Sequence, residues 1–295
     1  MKTLPRGFIP VMLTPFQDDL SVDFETLRKL CDHYIAAGAV GLFANCLSSE
    51  MYELSSEERL EVIKTVVDQT AGRVPVVATG TFQSSIEEMA SFSNKVYGLG
   101  VDAVIILNNQ FVSAEESDAV FLERIRRWME LTPGVPFGIY ECPVPYKRLV
   151  SIPILEELLA TGRLCYHKDT SLDLAQVQAK IQAGNAFHFG VYDAYMVHAK
   201  ASLAAGSLGL SCIQGNFFPD LLAQFCAHPT DEFQAFLSDA MELMHSAYPT
   251  SAKYVLQQQG FPIRLATRRK VDPLTESLKA KLDELLTSAS RYRSP

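Results

Sequence analysis

The 295-residue sequence predicts an α/β fold, a (β/α)₈ TIM barrel with additional C-terminal helices. Three observations predict it. Short β-rich runs alternate with helix-length amphipathic segments from residue 8 to about residue 226, the pattern of βα units around a parallel sheet. Eight such runs can be counted, which is the barrel number. No Pro/Gly/Ser-rich linker, low-complexity stretch or repeat beyond the βα rhythm divides the chain. The expected organisation is a barrel over 1–226 with a helical extension over 227–295 packed on it, a single domain overall.

The strands are expected at Phe8–Leu13, Val40–Ala44, Val74–Thr79, Asp102–Ile106, Pro136–Tyr140, Leu164–Lys168, Ala186–Gly190 and Gly209–Ile213. The helices between them carry their own punctuation. Asp23 precedes FETLRKLCDHYIAAG, which stops at Gly38, and Ser55 precedes SEERLEVIKTVVDQTAG, which opens on an acidic turn and stops at Gly72. SSIEEMASFSNKVYGLG repeats the design. Past the eighth strand, Pro219–Ala227, Thr230–His245, Ser251–Gln259 and Pro273–Ser288 have helical composition. A barrel closes in about 250 residues, so these read as extra helices that cap the outer ring or build a subunit interface.

Composition narrows the function. A hydrophobic content of 48% with 20% charged residues is that of a soluble globular enzyme with a sizeable core. The formal charge of -8, with no basic face, argues against nucleic acid as a partner. An anionic small substrate would have to be held by local donors. The six cysteines form no C-x-x-C pair, which argues against a zinc knuckle or a disulfide framework and reads as reduced thiols in a cytoplasmic protein. The opening MKTLPRGFIPVML is broken by Pro10 and reads as a first buried strand rather than a leader. No stretch approaches the roughly 18 apolar residues of a membrane helix. The histidines at 33, 167, 188, 198, 228 and 245 show no H-x-H or acidic cluster at strand ends, so neither a metal nor another cofactor is expected.

The active site of a parallel barrel lies at the carboxyl ends of its strands, which singles out Lys168, ending the sixth strand, and Tyr140, ending the fifth. Neighbouring strands lie about 4.8 Å apart, so the two side chains meet if both point inward. By pleat alternation Leu164, Tyr166 and Lys168 share one side, and Cys165 and His167 the other. A lysine among apolar neighbours is desolvated, its pKa drops below the usual value of about 10.4, and the free amine can attack a carbonyl to form a Schiff base. The plainer alternative is a lysine that reaches solvent or pairs with Asp169. Tyr140 is the natural proton carrier beside it, set against an ordinary rim aromatic. Ser48 and Ser49, after the second strand, can offer hydroxyls and N–H groups to a carboxylate, set against a generic polar turn. Gly190 ends the seventh expected strand and either leaves room for a ligand or serves a turn. His188 shares its face and reads as a core histidine.

Taken together these pieces resemble the dihydrodipicolinate synthase and N-acetylneuraminate lyase family, class I pyruvate-type aldolases and related dehydratases on (β/α)₈ barrels. The resemblance rests on TPF at Thr14–Phe16, LSSEER at Leu54–Arg59, PVVATGTF at Pro75–Phe82, YxxP at Tyr140–Pro143 and KDTS at Lys168–Ser171, all in family order. It implies that Lys168 forms the Schiff base with a 2-oxo acid, that Tyr140 relays protons, that the Ser48-Ser49 loop grips the substrate carboxylate, and that Gly190 is a pocket glycine. It also implies a homo-oligomer, a dimer or a homotetramer.

The sequence departs from the family pattern at three places. The hydroxyl-rich loop, usually Gly-(Thr/Ser)-Thr-Gly-Glu, reads Cys46-Leu47-Ser48-Ser49-Glu50, so Leu47 removes one relay hydroxyl. Where the synthase branch has an arginine after YxxP stands Pro145, with Arg148 three residues on, and the loop after the fourth strand reads LNNQFVS. The sequence is therefore not that of a typical dihydrodipicolinate synthase. The expected function is a Schiff-base lyase acting on a 2-keto-3-deoxy sugar acid and releasing or using pyruvate, with Asn108, Asn109, Gln110 and Glu141 as candidate readers of sugar hydroxyls. Two alternatives stay open: a dehydratase using the same lysine, and a catalytically impaired 2-oxo acid binding protein.

Overall fold

The computed structural model describes residues 3–293, so the outermost residues of the segments 1–226 and 227–295 lie outside it. Strands and helices alternate through eight units: β1 (Gly7–Phe8), α1 (Phe24–Ala36), β2 (Leu42–Ala44), α2 (Ser56–Thr70), β3 (Val76–Thr79), α3 (Ile86–Gly98), β4 (Ala103–Leu107), α4 (Asp118–Leu131), β5 (Phe137–Tyr140), α5 (Ile152–Ala160), β6 (Leu164–Asp169), α6 (Leu174–Gly184), β7 (Gly190–Asp193), α7 (Ala199–Ala205), β8 (Gly209–Leu210) and α8 (Pro219–Ala227). Four more helices follow: α9 (Asp231–Asp239), α10 (Met241–His245), α11 (Thr250–Gln258) and α12 (Glu276–Ala289). Pro219–Ala227, grouped in the sequence with the extra helices, completes the eighth unit. Thr230–His245 divides in two at Ala240, where the N–H turns back to Phe236 and Ser238. No helix among the described residues is long and apolar enough to cross a membrane.

The chain forms two compact units. One is Pro75–Ser211 with the N-terminal residues up to Arg6; the other is Gly7–Val74 with the chain from Cys212 onward. In the first, β3 to β8 pair in parallel in chain order. Each of these strands is buried on both faces, which explains the mainly apolar runs of β3, β4 and β5. Trp128 on α4 is fully buried, donates from Nε1 to Ser93 Oγ at 3.1 Å, and meets Phe111 and Phe137 edge-on. Full burial of a side chain the size of Phe137 stabilises the fold by about 2 kcal/mol.

The seventh strand lies further along than expected, at Gly190–Asp193 rather than Ala186–Gly190. Phe189 is the reason. Its ring packs so closely over Gly184 that a Cβ there would sit 2.2 Å from Cδ1, and this holds residues 185–188 outside the sheet. Phe187 and His188 are exposed, and His188 Nδ1 meets Thr3 Oγ1 at 3.0 Å, so His188 is not a core histidine.

In the second unit β1 is followed by a bridge between Val11 and Phe43 next to β2, α1 packs on α2, and α8 packs on β1. The punctuation read from the sequence is the punctuation used. Asp23 Oδ1 accepts Thr26 N at 3.0 Å, and Ser55 and Glu58 close a reciprocal capping box. Each such cap stabilises its helix by about 1 kcal/mol. Gly38 and Gly72 end the two helices with φ of +95° and +73°, values only glycine adopts freely. All six cysteines are buried thiols, and burial pushes Cys31 and Cys165 up to about 12.

Candidate active site

Lys168 and Tyr140 stand opposite one another because β5 and β6 do not pair in simple register. Phe137 pairs with Leu164, but Gly138 pairs with Tyr166, so Cys165 bulges out and Tyr140 falls opposite Lys168. Without that slip His167 would face Tyr140. Glycine at 138 permits the slip, since a Cβ there would lie 2.6 Å from Ile105 Cδ1 and 2.8 Å from Tyr166 Cβ. Paired residues of a parallel sheet project to the same side, and the two side chains meet with Lys168 Nζ 4.2 Å from the centre of the Tyr140 ring. Both are buried, at 5% and 3% exposure.

Two residues back along the strand, Tyr166 stacks on Tyr192 with ring centres 4.9 Å apart and donates to Ser211 Oγ at 3.0 Å. Tyr192 is the β7 residue opposite Lys168. Aromatic residues therefore occupy the strand positions paired with Lys168 on both sides, Tyr140 on β5 and Tyr192 on β7. Gly190 is two residues further back, opposite Tyr166, at the opening of β7 and not at its end. A Cβ on it would meet Leu208 Cδ1 at 2.3 Å, so close packing rather than room for a ligand requires this glycine.

On the opposite face the residues that follow the pair form a second cluster. Glu141 and Asp169, both fully buried, share the ammonium of Lys180 from α6, whose Nζ is 2.6 Å from each carboxylate. Glu141 also accepts Val150 N at 2.9 Å and Thr170 N at 3.2 Å, and His167 Nε2 lies 3.4 Å away. Burial alone would raise the Glu141 carboxyl, but His167 and Lys180 outweigh it and hold the pKa down to about 2. The same carboxylates outweigh the burial of Lys180 and raise its pKa. Asp169 thus pairs with Lys180 and not with Lys168. Glu141, His167 and Asp169 have the donor atoms and spacing of a metal site, their ligand atoms all within 4.8 Å of one another. The Lys180 ammonium bonds two of the three, which supplies the positive charge that such a set attracts.

Of the other residues read as sugar-hydroxyl ligands, Asn108 and Asn109 commit their amide N–H groups to the fold. Asn109 Nδ2 lies within 2.9 Å of the carbonyls of Cys142, Val144 and Tyr146, and Asn108 Nδ2 donates to the Arg148 carbonyl. Together they pin the loop after β5. Arg148 bonds Asp118 at 2.6 Å and the Glu116 carbonyl at 2.9 Å, so it does not replace the arginine missing at Pro145. At the end of β7, Asp193 Oδ2 sits 3.0 Å from His198 Nε2, and that carboxylate raises the histidine pKa.

Ser48 and Ser49 belong to the other unit, on a single 3₁₀ turn after β2. Their roles separate. Ser49 Oγ accepts Cys46 N at 3.0 Å and donates to the Met12 carbonyl at 2.6 Å, so its hydroxyl is spent within the loop and the expectation that it grips a ligand is corrected. Ser48 lies beside Tyr248, whose oxygen accepts Asn216 Nδ2 at 2.7 Å, and Asn216 Oδ1 accepts Tyr34 Oη at 2.5 Å. Burial raises the pKa of both tyrosines, so the chain stays made of neutral phenols.

Glu50, left-handed at φ 57° and fully buried, anchors this loop. It accepts Lys253 Nζ at 3.1 Å, Thr267 Oγ1 and Arg268 N at 2.7 Å, and Arg269 N at 2.8 Å. Arg269 returns a bond to the Leu47 carbonyl at 2.7 Å.

Sequence reading missed Lys180, Tyr248 and Lys253. A signal existed for the first: Glu141 and Asp169 each follow a singled-out strand-end residue, so period two puts two carboxylates on the helix-facing side, and Lys180 interrupts the buried stripe of Val177, Ile181 and Gly184.

The alternation, the parallel registers and the lysine–tyrosine pair at paired strand ends define a (β/α)₈-barrel protein with its polar apparatus on the strands' carboxyl side. The chain belongs to the dihydrodipicolinate synthetase family, whose sequence profile matches residues 4–289. It is 25% identical to a 4-hydroxy-tetrahydrodipicolinate synthase of Saccharophagus degradans over 97% of this chain and 99% of that one. The same fold occurs in dihydrodipicolinate synthase from Acinetobacter baumannii complexed with pyruvate, at a TM-score of 0.86 and 22% identity over 97% of this chain and 99% of that one. It occurs again in YagE, a prophage protein of the dihydrodipicolinic acid synthase family from E. coli in complex with pyruvate, at 0.86 and 23% over 97% and 98%.

Proposed function

We propose that the protein is a Schiff-base lyase that acts on a 2-oxo acid of the 2-keto-3-deoxy sugar-acid class and releases or uses pyruvate. The observation that carries the reading is the Lys168 amine 4.2 Å from the Tyr140 ring at two paired strand ends. The Lys168 amine attacks the C2 carbonyl, the carbinolamine loses water, and the resulting imine accepts electrons. Tyr140 carries protons to and from the carbinolamine oxygen and the C4 hydroxyl. When the C4 hydroxyl gives up its proton, the C3–C4 bond breaks, its electron pair forms the enamine and an aldehyde leaves. Protonation at C3 and hydrolysis of the imine return pyruvate and the free lysine. Ser48, on the turn after β2, is the hydroxyl we assign to the substrate carboxylate.

Pyruvate complexes of two proteins of the same fold support the 2-oxo acid. Leu47, Pro145 and the engaged Arg148 set the chain apart from the synthase branch. The enzyme is expected to assemble as a dimer or tetramer, which sizing in solution checks. The test of substrate class is a series of 2-keto-3-deoxy acids scored for both pyruvate release and water loss. Pyruvate with an equimolar aldehyde is the expected result. Water loss without cleavage makes the protein a dehydratase on the same lysine, and an imine with neither product makes it a binding protein.

A further inference from the structure

We propose that Lys180 is a positioning residue for the imine chemistry: its single buried ammonium ties together Glu141 and Asp169, the residues directly after Tyr140 and Lys168, and so locks the strand register in which amine and phenol face each other. The inference rests on the assignment of Lys168 and Tyr140 given above. A sheet register that shifts by one residue carries every side chain to the other face, and the β5–β6 pair already contains one irregularity, between Phe137 and Gly138. Relaxing it to plain pairing would put His167 opposite Tyr140, turn Lys168 toward α6 and carry Asp169 inward. Backbone hydrogen bonds alone discriminate poorly between these registers.

The buried ions do discriminate. Only in the observed register do Glu141 and Asp169 share the face toward α6, where one ammonium reaches both at 2.6 Å. A slip would leave Lys180 with one carboxylate and bury the other without a cation, a penalty that backbone pairing does not offset. Thr170 N and Oγ1 tie the same two strand ends by donating to the Glu141 carboxylate and carbonyl, while Ser171 N and Oγ fix Asp169 Oδ1 within its own strand end. Lys180 is fully buried in a helix stripe that otherwise carries apolar residues, where an ion is costly unless it is paired, as it is here by both carboxylates.

The test is the rate at which pyruvate and cyanoborohydride label the full-length protein, followed by intact mass, together with the fraction finally labelled. Lys180→Met is expected to slow labelling per competent site by about tenfold or more, with the final fraction near that of wild type. Lys180→Gln, whose amide keeps two donors for the two carboxylates, should recover part of the rate. Should Lys180→Met fail to fold, the neutral combination Lys180→Met with Glu141→Gln and Asp169→Asn carries the same comparison without an unpaired charge. A wild-type rate per labelled site overturns the inference, including the case in which only the labelled fraction falls, since that is loss of fold alone. No labelling of the wild-type protein by any 2-oxo acid overturns the imine assignment and this inference with it. Labelled wild type beside an equally fast Lys180→Met overturns this inference only.

Discussion

Replacing Glu50 by alanine should destabilise the protein by about 3–5 kcal/mol at neutral pH, because it removes the carboxylate that faces a buried ammonium. Lys253 is fully buried, and without Glu50 its Nζ keeps the Ala266 carbonyl at 2.6 Å. The donors on Oε2 come from Thr267, Arg268 and Arg269, which are half-buried, so water can take over those bonds at small cost. The ammonium has no such recourse and accounts for most of the loss. Alanine and glutamate both carry a Cβ, so the left-handed backbone at φ 57° contributes equally to both proteins.

The sign with pH follows from Lys253. Burial lowers its folded pKa below the ordinary lysine value even with Glu50 in place, and removal of Glu50 lowers it further. Between that folded value and the unfolded value of about 10.4 the unfolded chain binds more protons, so stability rises with pH across this window. The deficit of Glu50→Ala should therefore shrink from about pH 7 to about pH 9.5. Urea denaturation of wild type, Glu50→Ala and Glu50→Ala/Lys253→Met at both pH values measures it. The double variant, with neither charge, should recover most of the loss. A single variant within about 1 kcal/mol of wild type, or a double variant no more stable than the single, refutes the ammonium as the source.

Three further outcomes are expected. Tyr248→Phe removes the phenol oxygen that accepts from Asn216 beside Ser48, and should raise KM for the 2-oxo acid several-fold to about tenfold while imine formation at saturating substrate holds; steady-state kinetics with an unchanged KM would contradict it. Gly190→Ala should cost about 1–3 kcal/mol by displacing Leu208 and leave KM alone; a raised KM at undiminished stability would restore this residue as a pocket glycine. Asp193→Asn removes the charge that raises the His198 pKa. That pair contributes fully below the unfolded histidine value of about 6.5 and loses its contribution as pH rises through the folded value. The variant's drop in melting temperature should be larger at about pH 5.5 than at about pH 8.5, and equal drops would exclude the pair.

Much of this architecture is legible in the residues because it follows from local rules. The caps at Asp23 and Ser55, the stops at Gly38 and Gly72 and the buried runs of β3 to β6 depend on neighbours in sequence. Pleat alternation put Lys168 and His167 on opposite faces, as observed. What local rules do not carry is the bulge at Cys165: the pairing of Tyr140 with Lys168 depends on how two strands slide, which is decided by Gly138 against Ile105 and Tyr166. β7 was misplaced because Phe187 and Phe189 alternate like strand residues, whereas Phe189 packs on Gly184 and starts the strand one residue later. Ser49 looked like a ligand because a hydroxyl's partners are invisible until the Met12 carbonyl is brought beside it. Tyr248 and Lys253 lie 200 and 203 residues from Ser48 and Glu50, beyond the reach of any periodic pattern.

The central claim is that Lys168 captures the keto group of a 2-oxo acid. Intact mass after incubation with pyruvate and borohydride, on wild type and on Lys168→Ala, tests it most directly. One reduced pyruvate adduct per chain in the wild type, absent from the variant, is the predicted result. An adduct that persists in Lys168→Ala, or a wild-type protein left unlabelled by pyruvate and by every larger 2-oxo acid, would contradict it.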